Sequence, residues 1–253
     1  MSQSNDDPMR DLVQSVLKSR GLHADPIPET SINKTPDLVL LVPAGRILIE
    51  VECKEDDGQL RRLVESPART TYSYKTSSIE SLLRHAWHQI YEFPERCEDD
   101  FNIVWLVASR PGLTAFTRPA AMSVLYGIEY MDGQFEASGE YYERECFFFG
   151  YSFLFRRQKL DGVVLHDDSQ ITLCLNPRSN RLDDFKRTSF VQLFKREFEV
   201  IDPEEQERSG ECFLADCSLP RRDYNGVVRY LKMKYGLATV NLYRFVLINF
   251  PVA

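Results

Sequence analysis

The chain has 253 residues, 43% of them hydrophobic and 27% charged, with a formal net charge of -7 and a pI near 5.3. Those values exclude a disordered, fibrous or membrane-embedded chain and leave room for a sizeable globular core. They also exclude coating of nucleic acid through overall charge, though not an enzyme that uses metal ions and a local basic groove.

The opening residues, MSQSNDDPMR, are polar and lack the apolar stretch of a signal peptide. No apolar run approaches the roughly 18 residues that a membrane span needs, so an intracellular protein, cytoplasmic or nuclear, is expected with no membrane partner. Residues 8–20 read as a helix with Leu12, Val13, Val16 and Leu17 on one stripe, closed by Gly21. A Pro/Ser/Thr/Asn-rich connection over 22–35 leads to the hairpin PDLVLLVPAGRILIEVECK, residues 36–54. A polar segment from Glu55 to Lys75 has the composition of a substrate-facing loop. From Ser77 to Phe93 the apolar residues recur at helical spacing, and Pro94 stops that helix. FNIVWLVA, residues 101–108, predicts a buried strand, followed by a short helix over 118–125.

Residues 127–175 read as β-rich, with an aromatic run from Phe147 to Phe155 and a hairpin turning at Asp167 and Asp168. Helix is expected over 181–200, and a helix to Tyr235 followed by a strand closes the chain. The six cysteines are expected as free thiols, and Cys212 and Cys217 lack the second pair of ligands that a zinc site needs. The expected organisation is a core over residues 1–126 and, over 127–253, either a β-rich continuation of the same domain or a separate subdomain.

The hairpin holds the chemistry. On its second strand Ile47, Ile49, Val51 and Cys53 face one way, and Leu48, Glu50, Glu52 and Lys54 the other. The first strand, Leu38 to Val42, offers apolar side chains to both faces, as a doubly covered strand does. With Ala44 and Gly45 as the central turn residues, Pro43 faces Arg46 and Asp37 falls opposite Glu52 on one face. A turn moved by one residue is expected to bring Val51 nearest Asp37 and to flip that face. Carboxylates two apart on a strand lie about 7 Å from each other. At an effective dielectric near 20 such a pair costs about 2 kcal/mol, which a divalent cation relieves. Hard oxygen ligands suit Mg²⁺ or Mn²⁺.

Pro36-Asp37, followed by Glu52-Cys53-Lys54 at the end of the next strand, resembles the motif of the PD-(D/E)XK nuclease superfamily. The order helix, hairpin, helix, strand over residues 8–108 is similar to that family's core. The resemblance implies a mixed α/β fold with a restriction-endonuclease-like central mixed sheet flanked by helices, here with a β-rich C-terminal elaboration. It implies a hydrolase, a metal-dependent endonuclease with DNA as substrate, working as a homodimer where two strands are cut. Asp37 and Glu52 would be ligands of Mg²⁺ or Mn²⁺, Lys54 the catalytic lysine that positions the attacking water, and Glu50 an additional ligand.

Two features depart from the family pattern. Gln89 and Tyr91 lie only two apart where some members carry Gln-x-x-x-Tyr, and Asp11 is a poor substitute for the first-helix Glu of others. The alternative reading is a noncatalytic module on the same fold that binds nucleic acid or protein. Asp161 and Asn176 bracket the second hairpin in a similar way without the acid and lysine, so such hairpins also arise without the chemistry.

Gln89, Arg61 and Arg62 are the candidate substrate contacts. His85 and His88 read as ordinary surface or boundary residues, and Trp87 and Tyr91 as packing at the core edge. The aromatic run followed by Arg156, Arg157 and Lys159 has the composition to stack bases, yet core packing is its default reading. Those cations, like Arg178, Arg181, Lys186 and Arg187 and the pair Arg221 and Arg222, read one at a time as solvated surface.

Overall fold

The computed structural model describes residues 7–28, 35–54, 76–108, 114–167 and 170–243. Within them lie seven helices and two mixed sheets. The first sheet orders its strands β1-β2-β3-β4-β7-β8-β9. These are β1 (Ala24–Pro26), β2 (Leu38–Val42), β3 (Gly45–Lys54), β4 (Phe101–Ala108), β7 (Gly162–His166), β8 (Ile171–Leu175) and β9 (Glu199–Ile201). The second sheet holds β5 (Glu129–Phe135), β6 (Tyr141–Phe147), β10 (Cys212–Leu214) and β11 (Leu237–Tyr243) in the order β10-β6-β5-β11. The described residues after 127 are thus shared: β7, β8 and β9 extend the first sheet, and β5, β6, β10 and β11 build the second.

Strands β3, β4 and β7 run parallel at the centre of the first sheet, and every residue of β4 is buried. Parallel strands covered on both faces need apolar side chains on both, which FNIVWLVA supplies. Helix α2 (Thr76–Glu92) and helix α3 (Thr114–Tyr126) cover one face, where Leu83, Ala86, Ile90, Ala121 and Leu125 meet Leu48, Val104, Leu106 and Val163. Helix α1 (Asp7–Lys18), helix α4 (Leu182–Lys186) and helix α5 (Ser189–Glu197) cover the other. There Val13, Leu17, Phe185, Phe190 and Phe194 pack on Ile47, Ile49, Trp105 and Val164. Each such buried aromatic or aliphatic side chain contributes about 1.5–3 kcal/mol relative to exposure. Helix α6 (Pro203–Arg208) starts at the Asp202 cap. Helix α7 (Tyr224–Tyr235) lays Val227 and Leu231 on Met131, Tyr142 and Phe213 of the second sheet.

Several expectations change. The connection over 22–35 contains β1, whose three residues pair with β2. Strand β2 is not covered on both faces, because Leu41 is 68% exposed. The expected helix at 181–200 is two helices, broken where the Thr188 side chain turns back to accept from Val191 N–H. Most of the aromatic run is irregular rather than strand: β6 ends at Phe147, and Phe148 adopts φ 63°, while Phe147, Phe148, Phe149 and Phe153 are buried as core.

The hairpin turn is also displaced. Val42 pairs with Gly45 and Leu38 with Ile49, so Pro43 and Ala44 form the turn. Gly45 sits beside the turn at φ 135°, a conformation that favours glycine. The adjacent Arg46 donates to both carboxylate oxygens of buried Asp100, at 2.9 and 2.7 Å, and to the Glu95 carbonyl at 2.8 Å. That contact raises the Arg46 pKa and ties the turn to the start of β4.

At the same end of the sheet, buried Asp161 accepts from the Asn102 N–H at 2.7 Å and the Ser179 hydroxyl at 2.6 Å. Burial nevertheless pushes its carboxyl up to about 6 from 3.8. The fold therefore prefers the protonated acid: its contribution is complete below pH 3.8 and is lost as pH rises through about 6. Asp161→Asn, which keeps an acceptor for Asn102 and places an amide against Ser179, removes this titration. Urea unfolding between pH 4 and pH 7 is expected to show a wild-type stability loss of roughly 2 kcal/mol that the variant lacks. Parallel profiles for the two proteins would contradict the assignment.

Candidate active site

The site lies at the carboxyl ends of the parallel strands β3 and β4, where β2 begins. Alternation along β2 settles the face of Asp37: Leu38 joins the core under α1 while Val39 packs towards α2. Asp37 therefore belongs to the α2 face. On β3, Leu48 packs in the α2 core and Ile47, Ile49 and Val51 in the other, which places Glu50, Glu52 and Lys54 on the α2 face as well. All four sequence-predicted residues of the hairpin thus share one side of the sheet.

Their levels differ from expectation. Continuing the pairing of Leu38 with Ile49 sets Asp37 level with Glu50, not with Glu52. Moving a two-residue turn by one position shifts the register by two residues, so the face is kept rather than flipped. The Asp37 carboxylate accepts from the Val51 N–H at 2.8 Å, which fixes it against β3 between the levels of Glu50 and Glu52. The Asp37 carbonyl in turn accepts from Ile27 N–H at 3.0 Å, just beyond β1.

Burial falls along β3 towards the site. Glu50 is 3% exposed, whereas Glu52, Cys53 and Lys54 are half-buried. Glu50 Oε1 accepts from the Gln89 side-chain amide. Glu52 Oε1 lies 3.0 Å from His85 Nδ1. An ionised carboxylate only accepts, so with Glu52 ionised the Nδ1 position carries the proton. Lys54 ends β3 opposite Ala108 of β4.

His85 is the residue that the sequence reading missed. It stands four positions before Gln89 on α2, hence on the same flank, and the two reach Glu52 and Glu50, which lie two apart on β3. That match of one helical turn to two strand residues was the available signal. Gln89, a candidate substrate contact, turns its amide to Glu50. Arg61 and Arg62 lie outside the described residues, as does the polar segment 55–75.

The oxygen donors fit a hard divalent cation by type. Among the described residues, no group of three or more His, Cys, Asp and Glu side chains is arranged to hold a metal ion. A closed protein cage is thereby excluded within that set, and what fits is an ion held through one or two carboxylates and otherwise by water or substrate oxygens. No helix among the described residues is long and apolar enough to cross a membrane. No family model, curated protein or solved structure matches the chain.

The Gln89 contact has a measurable worth. Gln89→Ala is expected to cost about 1–3 kcal/mol, because it takes a donor from a buried carboxylate. In a Glu50→Ala background the cost should shrink by at least about 0.5 kcal/mol. Urea unfolding of the four proteins in the cycle measures this coupling, and additive losses would show that the pair does not interact energetically.

Proposed function

We propose that the protein is a metal-dependent phosphodiesterase acting on nucleic acid, with DNA as the expected polymer and endonucleolytic cleavage as the expected mode. The observation that carries this reading is the gathering of Asp37, Glu50 and Glu52 on one face of the sheet, with Asp37 bonded to the backbone of β3 between the other two. Like charges at neighbouring positions on one partly or fully buried face favour either protonation or a cation, and a hard divalent ion satisfies oxygen donors best. The run α1, β1, β2, β3, α2, β4 contains the order that resembles the PD-(D/E)XK core.

In this reading Asp37 and Glu52 hold Mg²⁺ or Mn²⁺, with Glu50 adjoining. The ion would polarise the scissile phosphate and lower the pKa of its bound water. Lys54 orients the attacking water and offsets the negative charge that develops on the phosphate. His85 orients the Glu52 carboxylate through its Nδ1–H, and Gln89 does the same for Glu50. A homodimer would let two such sites meet opposite strands.

A second reading, a noncatalytic nucleic-acid- or protein-binding module, draws support from the same contacts, because His85 and Gln89 give the acids partners within the fold. One assay separates the two: plasmid, linear single-stranded DNA and RNA are incubated with the protein in Mg²⁺, Mn²⁺ or EDTA. Cleavage is expected with either metal and not in EDTA, and both Asp37→Ala and Lys54→Ala should lower it by at least about 100-fold. Cleavage that survives in both variants would overturn these assignments. Binding without cleavage would favour the module.

A further inference from the structure

The flank of α2 opposite His85 and Gln89 carries Trp87 and Tyr91, roughly 160° away around the helix at 3.6 residues per turn. The segment 155–159 lies across from them. Together they line an open cleft of about 350 Å³ formed by Trp87, Tyr91, Phe155, Arg156, Arg157 and Lys159, with Gln158 at its edge. Its volume falls within the range of ligand sites.

The rings and cations of this cleft are interleaved. Trp87 and Tyr91 have ring centroids 5.4 Å apart, and Tyr91 is 48% exposed. Lys159 Nζ lies 5.8 Å from the centre of the Tyr91 ring, and the Arg96 guanidinium 5.4 Å from it. Arg221 and Arg178 converge on Phe155, at 3.7 and 5.1 Å, and Arg157 covers Phe153 at 3.6 Å. Three basic clusters that are distant in sequence meet here, in a chain whose net charge is -7.

Arg46, Arg84, Arg118, Lys186, Lys195 and Lys234 each pair with a carboxylate. Among the described residues Arg156, Arg157, Lys159, Arg178 and Arg221 form no such pair. The Nε atoms of Arg157, Arg178 and Arg221 are buried without a hydrogen-bond partner. Burial lowers the pKa of Arg157 and of Arg221, and neighbouring Arg178 lowers the latter further. Nearby acids have other ion-pair partners: Glu80 pairs with Arg84 and accepts from Tyr151, though its charge also favours ionised Arg157, and Glu92 lies beside His88.

We infer that this cleft binds a single strand of nucleic acid, with bases against Trp87 and Tyr91 and phosphates against Arg156 and Lys159. Bunched cations that form no ion pair with a carboxylate among the described residues are complementary to a polyanion. Partly exposed aromatic rings beside them narrow the choice, because every base offers a π-face for stacking and an acidic polypeptide backbone does not. Stacking also requires bases freed from a duplex. The inference deepens the nucleic-acid reading of the function and rests on it for the substrate class, but it uses none of the acidic cluster.

The test is run in EDTA, so that binding is measured apart from cleavage. A fluorescein-labelled 12-mer of thymidine is titrated with protein and followed by anisotropy and by tryptophan emission. Trp105 is fully buried in the sheet, so quenching reports on Trp87, the other tryptophan of the chain. Saturable binding with quenching is expected. Tyr91→Ala should weaken it about 5- to 150-fold. Arg156→Glu combined with Lys159→Glu should make the slope of log affinity against log salt shallower by about 1.4, for two lost phosphate contacts. Arg156 and Lys159 are exposed, so the fold should tolerate these changes, with thermal unfolding as the control. Lys195→Glu, on the opposite face of the sheet, should leave binding unchanged.

Absence of quenching, or equal affinity in wild type and all cleft variants, overturns the inference. So does a poly-glutamate peptide that binds as tightly and is equally weakened by Tyr91→Ala, which would assign the cleft to an acidic protein. Intact binding here with no cleavage in metal would remove the nuclease reading alone.

Discussion

Strand β3 is paired on both edges and packed on both faces, and the arrangement of the candidate site follows from that confinement. Its side chains alternate between two cores that differ in chemistry. A slip of one residue would drive Glu50 and Glu52 among Val13, Trp105 and Phe194, and would turn Ile49 and Val51 towards His85 and Gln89. Burying two carboxylates in that apolar core costs several kcal/mol each, far more than one ladder hydrogen bond contributes. The hydrophobic pattern therefore chooses the face on which the acids stand, whatever they do there.

The same logic marks what the sequence could tell. Periodicity of two in β3 placed Glu50, Glu52 and Lys54 on one side, whereas Asp37 joined them only through an assumed turn. A displacement of two residues, by contrast, leaves every side chain on its own face, so pattern alone could not separate a turn at Ala44-Gly45 from one at Pro43-Ala44. What fixes the observed turn includes the contact of Arg46 with Asp100, which lies 54 residues away and carries no local trace. Strand β1 was hidden because three residues are too few to show alternation. His85 could be found only once the level of α2 against β3 was known.

The second hairpin explains why a short motif needs its surroundings. Asp161 and Asn176 occupy positions like those of Asp37 and the end of β3, yet both are buried and serve the backbone. Asn176 donates to the Arg157 and Leu160 carbonyls at 2.9 and 2.7 Å and accepts from Arg178 N–H, while Asp161 caps Asn102. The pair closes the amino end of β7, whereas the acids of the first hairpin stand at the carboxyl end of β3. In parallel sheets the carboxyl ends are where loops leave room for ligands, so equal spacing at opposite ends carries different chemistry.

Helix α2 divides these environments. One stripe, Ile79, Leu83, Ala86 and Ile90, is buried in the core; one flank, His85 and Gln89, meets the carboxylates; the other, Trp87 and Tyr91, faces the cationic turn. The helix body, about 10–12 Å across with its side chains, stands between acid and base clusters. Had they lain in contact, ion pairs would have neutralised both, as they do for Lys234 with Glu207 and Asp216. Separation by a packed helix is what lets an acidic protein keep an acidic cluster and a basic cluster from pairing with each other, and the core stripe holds the helix between them.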